Sequence, residues 1–224
     1  ETGTLTVTPR PVTFVTATNE WVYDGKAHSD EGYALSDSSA YPLADGQTSA
    51  LSSQTEITDA GSVENKLSLV ISDENGGDVT KNYDISYEYG TLTVTPRALT
   101  FVTASNEWVY DGTAHSDGEH QVSDSSAYPL AEGQTSASSS LTEITNVGSV
   151  QNVMTVTVSD ENGKDVTENY DISFEYGTLT VTPRPVTFVT ATNEWVYDGT
   201  AHSDGKHWVS ETSAYPLADG QTSA

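Results

Sequence analysis

A formal charge of −25 on 224 residues, from 33 acidic and only 8 basic side chains, is repelled by phosphate; this argues against nucleic acid or an anionic membrane as partner. The chain has no cysteine, which for a secreted domain points to a bacterial rather than an animal surface protein. No apolar run approaches the about 18 residues of a membrane span, and without a signal peptide or an initiator Met (Met154 is the single methionine) the chain reads as a processed product or an excised fragment.

Thr4–Thr8 alternates strictly, with Leu5 and Val7 on one side and threonines on the other, and predicts a half-buried strand. Pro9-Arg10-Pro11 follows. Proline offers no ladder donor and fixes φ, so this is a strand end or a stiff joint. Val12–Thr18 is rich in β-branched residues and reads as a new strand, and Glu20–Tyr23 as a short one. Asp24-Gly25 is a turn signal. Residues 30–50 are polar and serine-rich, with room for one or two short strands around Tyr41-Pro42-Leu43 and a second turn at Asp45-Gly46. Glu56-Ile57-Thr58 is brief and Ala60-Gly61 breaks it.

Asn65–Ser72 is the clearest buried strand, with Leu67, Leu69 and Ile71 sharing one face. Asp73–Asp78 is a polar turn. Tyr83–Tyr87 alternates again, with Tyr83, Ile85 and Tyr87 inward. Leu92 and Val94 take the opposite parity, so Gly90 must absorb a flip, as a hairpin turn in preference to a bulge. Nothing carries a 3.6-residue stripe, so helix should be nearly absent.

These elements recur. TLTVTPRPVTFVTATNEWVYDG, Thr4 to Gly25, returns letter for letter from Thr178 to Gly199, with a near copy from Thr91 to Gly112. Trp21, Trp108 and Trp195 mark a gapless period of 87 residues. That is longer than the about 20–50 residues of solenoid repeats and close to the roughly 100 of an immunoglobulin-like sandwich. Each period can hold its own core. Met154, Val156 and Val158 replace Leu67, Leu69 and Ile71 with apolar residues, while the opposite face of that strand drifts. The expected fold is all-β: tandem Ig-like or related β-sandwich domains arranged end to end as a rod.

The joint order of VYDGKAH, LADGQT and SDENGGDVTKNYDISYEYGTLTVTPR, with their copies, resembles the YDG and MBG-type tandem repeats of bacterial surface adhesins, once per period over essentially the whole chain. The resemblance implies secreted, extracellular proteins of the bacterial cell surface. Such proteins carry many tandem β-domains, anchored at one end, as to the cell wall, with a binding head at the other. It brings no catalytic residues.

With the prolines as joints, residues 1–9 are the terminal strand of a preceding repeat, 10–96 and 97–183 are whole repeats, and 184–224 is an incomplete third. The other phase, 51–137 and 138–224, stays open, because Gln-Thr-Ser-Ala closes at Ala50, Ala137 and Ala224. The proline phase is preferred, since prolines suit a boundary. Residues 184–224 lack counterparts of Ser138–Tyr176. Their open strand edges suggest completion by a neighbouring chain's Thr4–Thr8 strand, and so fibre assembly by strand complementation.

Asp73, Asn75 and Asp78, with Asp160, Asn162 and Asp165, place oxygens as at the start of a calcium loop. No bidentate Glu follows at the EF-hand position, and such turns are ordinary hairpin chemistry, so a plain turn is the preferred reading and no cofactor is expected, with calcium as the alternative. His115, Asp117 and His120 form a weaker zinc candidate, because Tyr33 stands where His120 would be one period earlier. Trp21, Trp108 and Trp195 read as core or joint packing, with a sugar-stacking platform as the alternative. Serine is abundant but no nucleophile elbow surrounds it, so no enzyme is expected.

Two functions follow. One is a structural stalk that projects a binding domain from the cell, its partners being neighbouring repeats. In the other the repeats themselves bind host glycan or protein, through the segments Tyr-Pro-Leu-Ala and Gly-Gln-Thr-Ser-Ala that every copy shares.

Overall fold

The structure is a computed structural model and describes residues 2–224. It is nearly all β, 42% strand and 3% helix. The helix amounts to two 3-10 turns, Thr80–Asn82 and Thr167–Asn169, as the absence of a helical stripe implied. The chain forms two compact units. One comprises the chain up to Leu99 with Ala127–Thr135 and Val158–Ile172. The other comprises Thr100–Ser126, Ser136–Thr157 and Ser173–Ala224. This division follows packing, not the 87-residue count.

In the first unit, β1 (Arg10–Thr16) lies between β3 (Tyr33–Leu35) and β7 (Tyr83–Glu88). A two-stranded sheet of β4 (Thr48–Gln54) and β6 (Leu67–Ser72) faces them. The apolar residues of β1 and β6 alternate as a pleat demands, and Val12, Phe14, Leu69, Ile71 and Tyr83 form the core between the two sheets. Burying such side chains contributes about 1.5–3 kcal/mol each. A third sheet has β8 (Thr91–Thr95) between β2 (Asn19–Val22) and β5 (Gly61–Glu64), with Leu92 and Val94 buried.

The hairpin expected at Gly90 is not there. β7 runs parallel to β1 and β8 runs parallel to β2, both in a register offset of 73 residues: Arg10 faces Tyr83 and Asn19 faces Leu92. The chain continues in one direction through Gly90 and only changes sheet, which is why the buried parity flips. Glycine is required because a Cβ there would meet the Ala17 carbonyl oxygen at 2.2 Å. The crossing is tied by Asn65, which is wholly buried. Its Nδ2 donates to the carbonyls of Ala17 and Asp30, both at 3.0 Å. Its N–H donates to Gly90 O at 2.9 Å and its own carbonyl accepts from Thr16 Oγ1 at 2.8 Å.

The second unit repeats these pieces. β16 (Thr178–Thr182) lies between β10 (Asn106–Val109) and β13 (Gly148–Gln151), with β10 parallel to it. Asn152 ties Ala104 O and Gly177 O as Asn65 ties its own pair. Towards the chain end only β17 (Phe188–Thr190) and β18 (His207–Val209) form, as an isolated pair.

Thr4–Thr8 is not a half-buried strand, although its five letters are those of β8 and β16. Leu5 and Val7 are fully exposed. β8 and β16 are strands because each is flanked on both sides, by β2 and β5 or by β10 and β13, and Thr4–Thr8 has no such neighbours.

Candidate functional site at the repeat joints

β8 ends at Thr95, and Pro96 alone separates it from β9 (Arg97–Thr103). Proline interrupts the ladder and Arg97 braces the break. Its Nε donates to Pro129 O at 2.7 Å, its Nη1 to Tyr23 O at 3.1 Å, and its guanidinium lies 4.8 Å over the ring of Tyr128. A planar, permanently charged fork can make all three contacts at once; a lysine could not.

Tyr23 is the centre of this site. It is only 2% exposed. Its N–H donates to Thr95 O at 2.9 Å. Its ring meets Tyr170 edge to face, centroids 5.5 Å apart. Its hydroxyl accepts from Gln134 Nε2 at 2.8 Å, Gln134 Oε1 accepts from the Tyr170 hydroxyl at 2.6 Å, and that hydroxyl accepts from Ala131 N at 2.9 Å. Three polar groups are thus paired inside an aromatic contact, where an unpaired one would be costly. Gly25, at φ +81°, lets the turn press on Gln134, whose Nε2 is 3.2 Å from where a Cβ would stand.

A second set of contacts lies beside it. Asn169 is buried; its Oδ1 accepts from Ala60 N at 2.7 Å and its Nδ2 donates to Asp59 Oδ1 at 2.9 Å. Lys164 reaches Asp59 at 3.4 Å. These residues border an open cavity of about 420 Å³. The exposed Lys26–Glu132 pair, at 3.7 Å, adds little.

The arrangement recurs within the second unit, one period on. Arg184 Nη1 donates to Tyr110 O at 3.1 Å and its Nε to Pro216 O at 2.7 Å, with Tyr215 beneath it. Gln221 Nε2 donates to the Tyr110 hydroxyl at 2.9 Å. All three arginines of the chain, Arg10, Arg97 and Arg184, stand at this position.

Each tryptophan stacks on a histidine: Trp21 on His28, Trp108 on His115 and Trp195 on His202, at 4.9, 4.9 and 5.2 Å. Each histidine Nε2 lies 2.9–3.0 Å from the aspartate of the Asp-Gly turn. Trp108 also packs on the buried Ile144, Leu179 and Val181. Trp195 is half exposed. The Asp111 carboxylate is held down to about 2 by the backbone N–H and hydroxyl of Thr113, with His115 adding to them.

The calcium candidates are spread over turns whose own backbone uses their oxygens. Asp73 Oδ1 accepts from the N–H groups of Asn75 and Gly77, and Asp160 Oδ1 from those of Asn162 and Lys164. Asp78 and Asp165 accept from Thr80 and Thr167, whose hydrogen bonds lower both carboxyls. In the zinc candidate, His120 bonds Gly118 O and Ser136 Oγ while His115 faces Asp111. Among the described residues no three His, Cys, Asp or Glu side chains converge to hold a metal ion.

No protein-family model matches the chain, and no curated protein matches it.

Proposed function

We propose that this chain is stalk: tandem Ig-like or related β-sandwich repeats, joined end to end as a rod, in an extracellular adhesin of a bacterial cell surface, holding a separate binding domain away from the cell. The observation that carries this reading is the tyrosine lock. Tyr23 of the Tyr-Asp-Gly turn is buried in a socket of Gln134, Tyr170 and Arg97, with Pro96 alone linking the strands beside it, and the glutamine and arginine contacts return 87 residues on at Tyr110. A connection made so short and so heavily bonded suits transmission of length and stiffness.

The lock also favours stalk over binder. Pro129, Ala131 and Gln134, from the segments shared by every copy, are occupied by contacts within the fold, so their sameness needs no outside ligand. The tryptophan faces that would stack a sugar are covered on one side by histidine.

Small-angle scattering of the chain with and without calcium tests the reading. An elongated particle of unchanged dimensions in both is expected. A compact particle, or one that becomes elongated only with calcium, would overturn it.

A further inference from the structure

The 10 asparagines of the chain differ in what holds their side chains. Asn65, Asn152 and Asn169 are buried, and each donates through Nδ2 to an oxygen of the fold. Asn19, Asn106 and Asn193 are exposed but donate to Asp30, Asp117 and Asp204. Asn75, Asn82, Asn146 and Asn162 are also exposed, and their side-chain amides have no hydrogen-bond partner among the described residues. Tyr83 follows Asn82 and Val147 follows Asn146, whereas glycine follows Asn75 and Asn162. A side chain crowds its own backbone nitrogen, and glycine has none.

The two Asn-Gly pairs stand one period apart, in the same turn. Gly76 and Gly163 have φ +79° and +78°, and a Cβ on either would meet nothing within 4 Å. Within each turn the glycine N–H is engaged: Gly76 N donates to Asp73 O and Gly163 N to Asp160 O, both at 3.0 Å. An aspartate side chain fastens the turn around it. Asp73 Oδ1 accepts from Asn75 N at 2.9 Å and Gly77 N at 2.8 Å, and Asp160 Oδ1 from Asn162 N and Lys164 N, both at 2.9 Å.

We propose that Asn75 and Asn162 are sites of spontaneous deamidation, gated by the turn carboxylates of Asp73 and Asp160. Asparagine is among the chemically labile residues. When the turn opens, the Gly76 nitrogen gives its proton to water or hydroxide and attacks Asn75 Cγ. The new N–Cγ bond closes a succinimide ring, and the side-chain nitrogen leaves as ammonia. Water then opens the ring. Breaking the N–Cγ bond leaves aspartate; breaking the bond from nitrogen to the main-chain carbonyl carbon leaves isoaspartate, with the main chain running through Cβ and Cγ. The same steps follow at Asn162 and Gly163. Water is the only co-reactant. Each event adds one negative charge to a chain that already carries −25. The inference is independent of the stalk reading.

Prolonged incubation of the whole chain at mildly alkaline pH, followed by peptide mapping in acid and by labelling with a protein isoaspartate methyltransferase, tests it. Aspartate and isoaspartate should accumulate at residues 75 and 162 ahead of the other asparagines. Gly76→Ala should slow the reaction at Asn75 about tenfold or more, a barrier higher by about 1.4 kcal/mol, and leave Asn162 as the reference within the same molecule. Asp73→Ala should quicken the reaction several-fold at Asn75 alone. Circular dichroism checks the fold, and Gly76→Ala, whose added Cβ meets no atom, carries the test should Asp73→Ala unfold. Asparagine retained at both positions, faster loss at another asparagine, an Asn75 that reacts at the wild-type rate in Gly76→Ala, or a folded Asp73→Ala no faster than the wild type would each overturn the proposal.

Discussion

The hydroxyl of Tyr23 accepts a hydrogen bond from Gln134 Nε2 at 2.8 Å, across 111 residues of chain. Tyr23→Phe keeps the ring against Tyr170 and removes that acceptor, so it should cost about 1 kcal/mol. Tyr23→Ala also empties the socket and should cost about 3–5 kcal/mol, the range for deleting a buried aromatic. Urea unfolding followed by tryptophan fluorescence separates the two.

Gly90→Ala tests the sheet crossing. The added Cβ meets the Ala17 carbonyl, a backbone atom that cannot swing aside. A loss of roughly 2–4 kcal/mol is expected, as for other severe core clashes. Gly76→Ala is the contrast: it sits at φ +79° in open space, so its cost of about 1 kcal/mol comes from the backbone alone.

Asn65→Ala leaves the carbonyls of Ala17 and Asp30 without their shared donor. Two carbonyls left unpaired in a partly buried setting predict a loss of roughly 2–4 kcal/mol. Amide exchange at Gly90 should quicken first, since Gly90 N donates to Thr16 Oγ1 beside the same knot.

Acid should act through the turn carboxylates. Asp111 titrates at about 2, below its ordinary 3.8, so it is charged in the folded state over a window where the unfolded chain is already protonated. Its contribution is therefore complete above pH 3.8 and fades as pH falls towards about 2. Glu88 acts with the same sign. The hydroxyls of Ser38 and Ser36 grip its two oxygens and lower it below 4.5. Asp111→Asn and Glu88→Gln should each flatten the acid limb of a melting-temperature profile and leave the neutral plateau little changed in shape.

Strand content and the best core face were legible because their signals are local. Leu67, Leu69 and Ile71 alternate, and one period on their apolar counterparts confirm the face. The direction of the chain at Gly90 was not legible, because parity reports that a flip occurs but not whether the strand turns back; that depends on β1 and β2, 73 residues away. Thr4–Thr8 shows the converse, a strand pattern without neighbours to pair. In the lock, Gln134 lies in a polar stretch without periodicity, and its role depends on a tyrosine in another period. The arginines do carry a local signal: the chain has only three, each directly after a proline at the same point of the period, which points to a role for the guanidinium there.

The most direct test of the lock is a distance measured across it. The chain has no cysteine, so thiols introduced at the exposed Glu56 and Glu161 are the only sites for a pair of spin labels. Electron–electron double resonance should give one narrow distance distribution in the otherwise unaltered chain, and a broad one once Tyr23→Ala and Asn169→Ala are added. A broad distribution with Tyr23 and Asn169 intact would contradict the account.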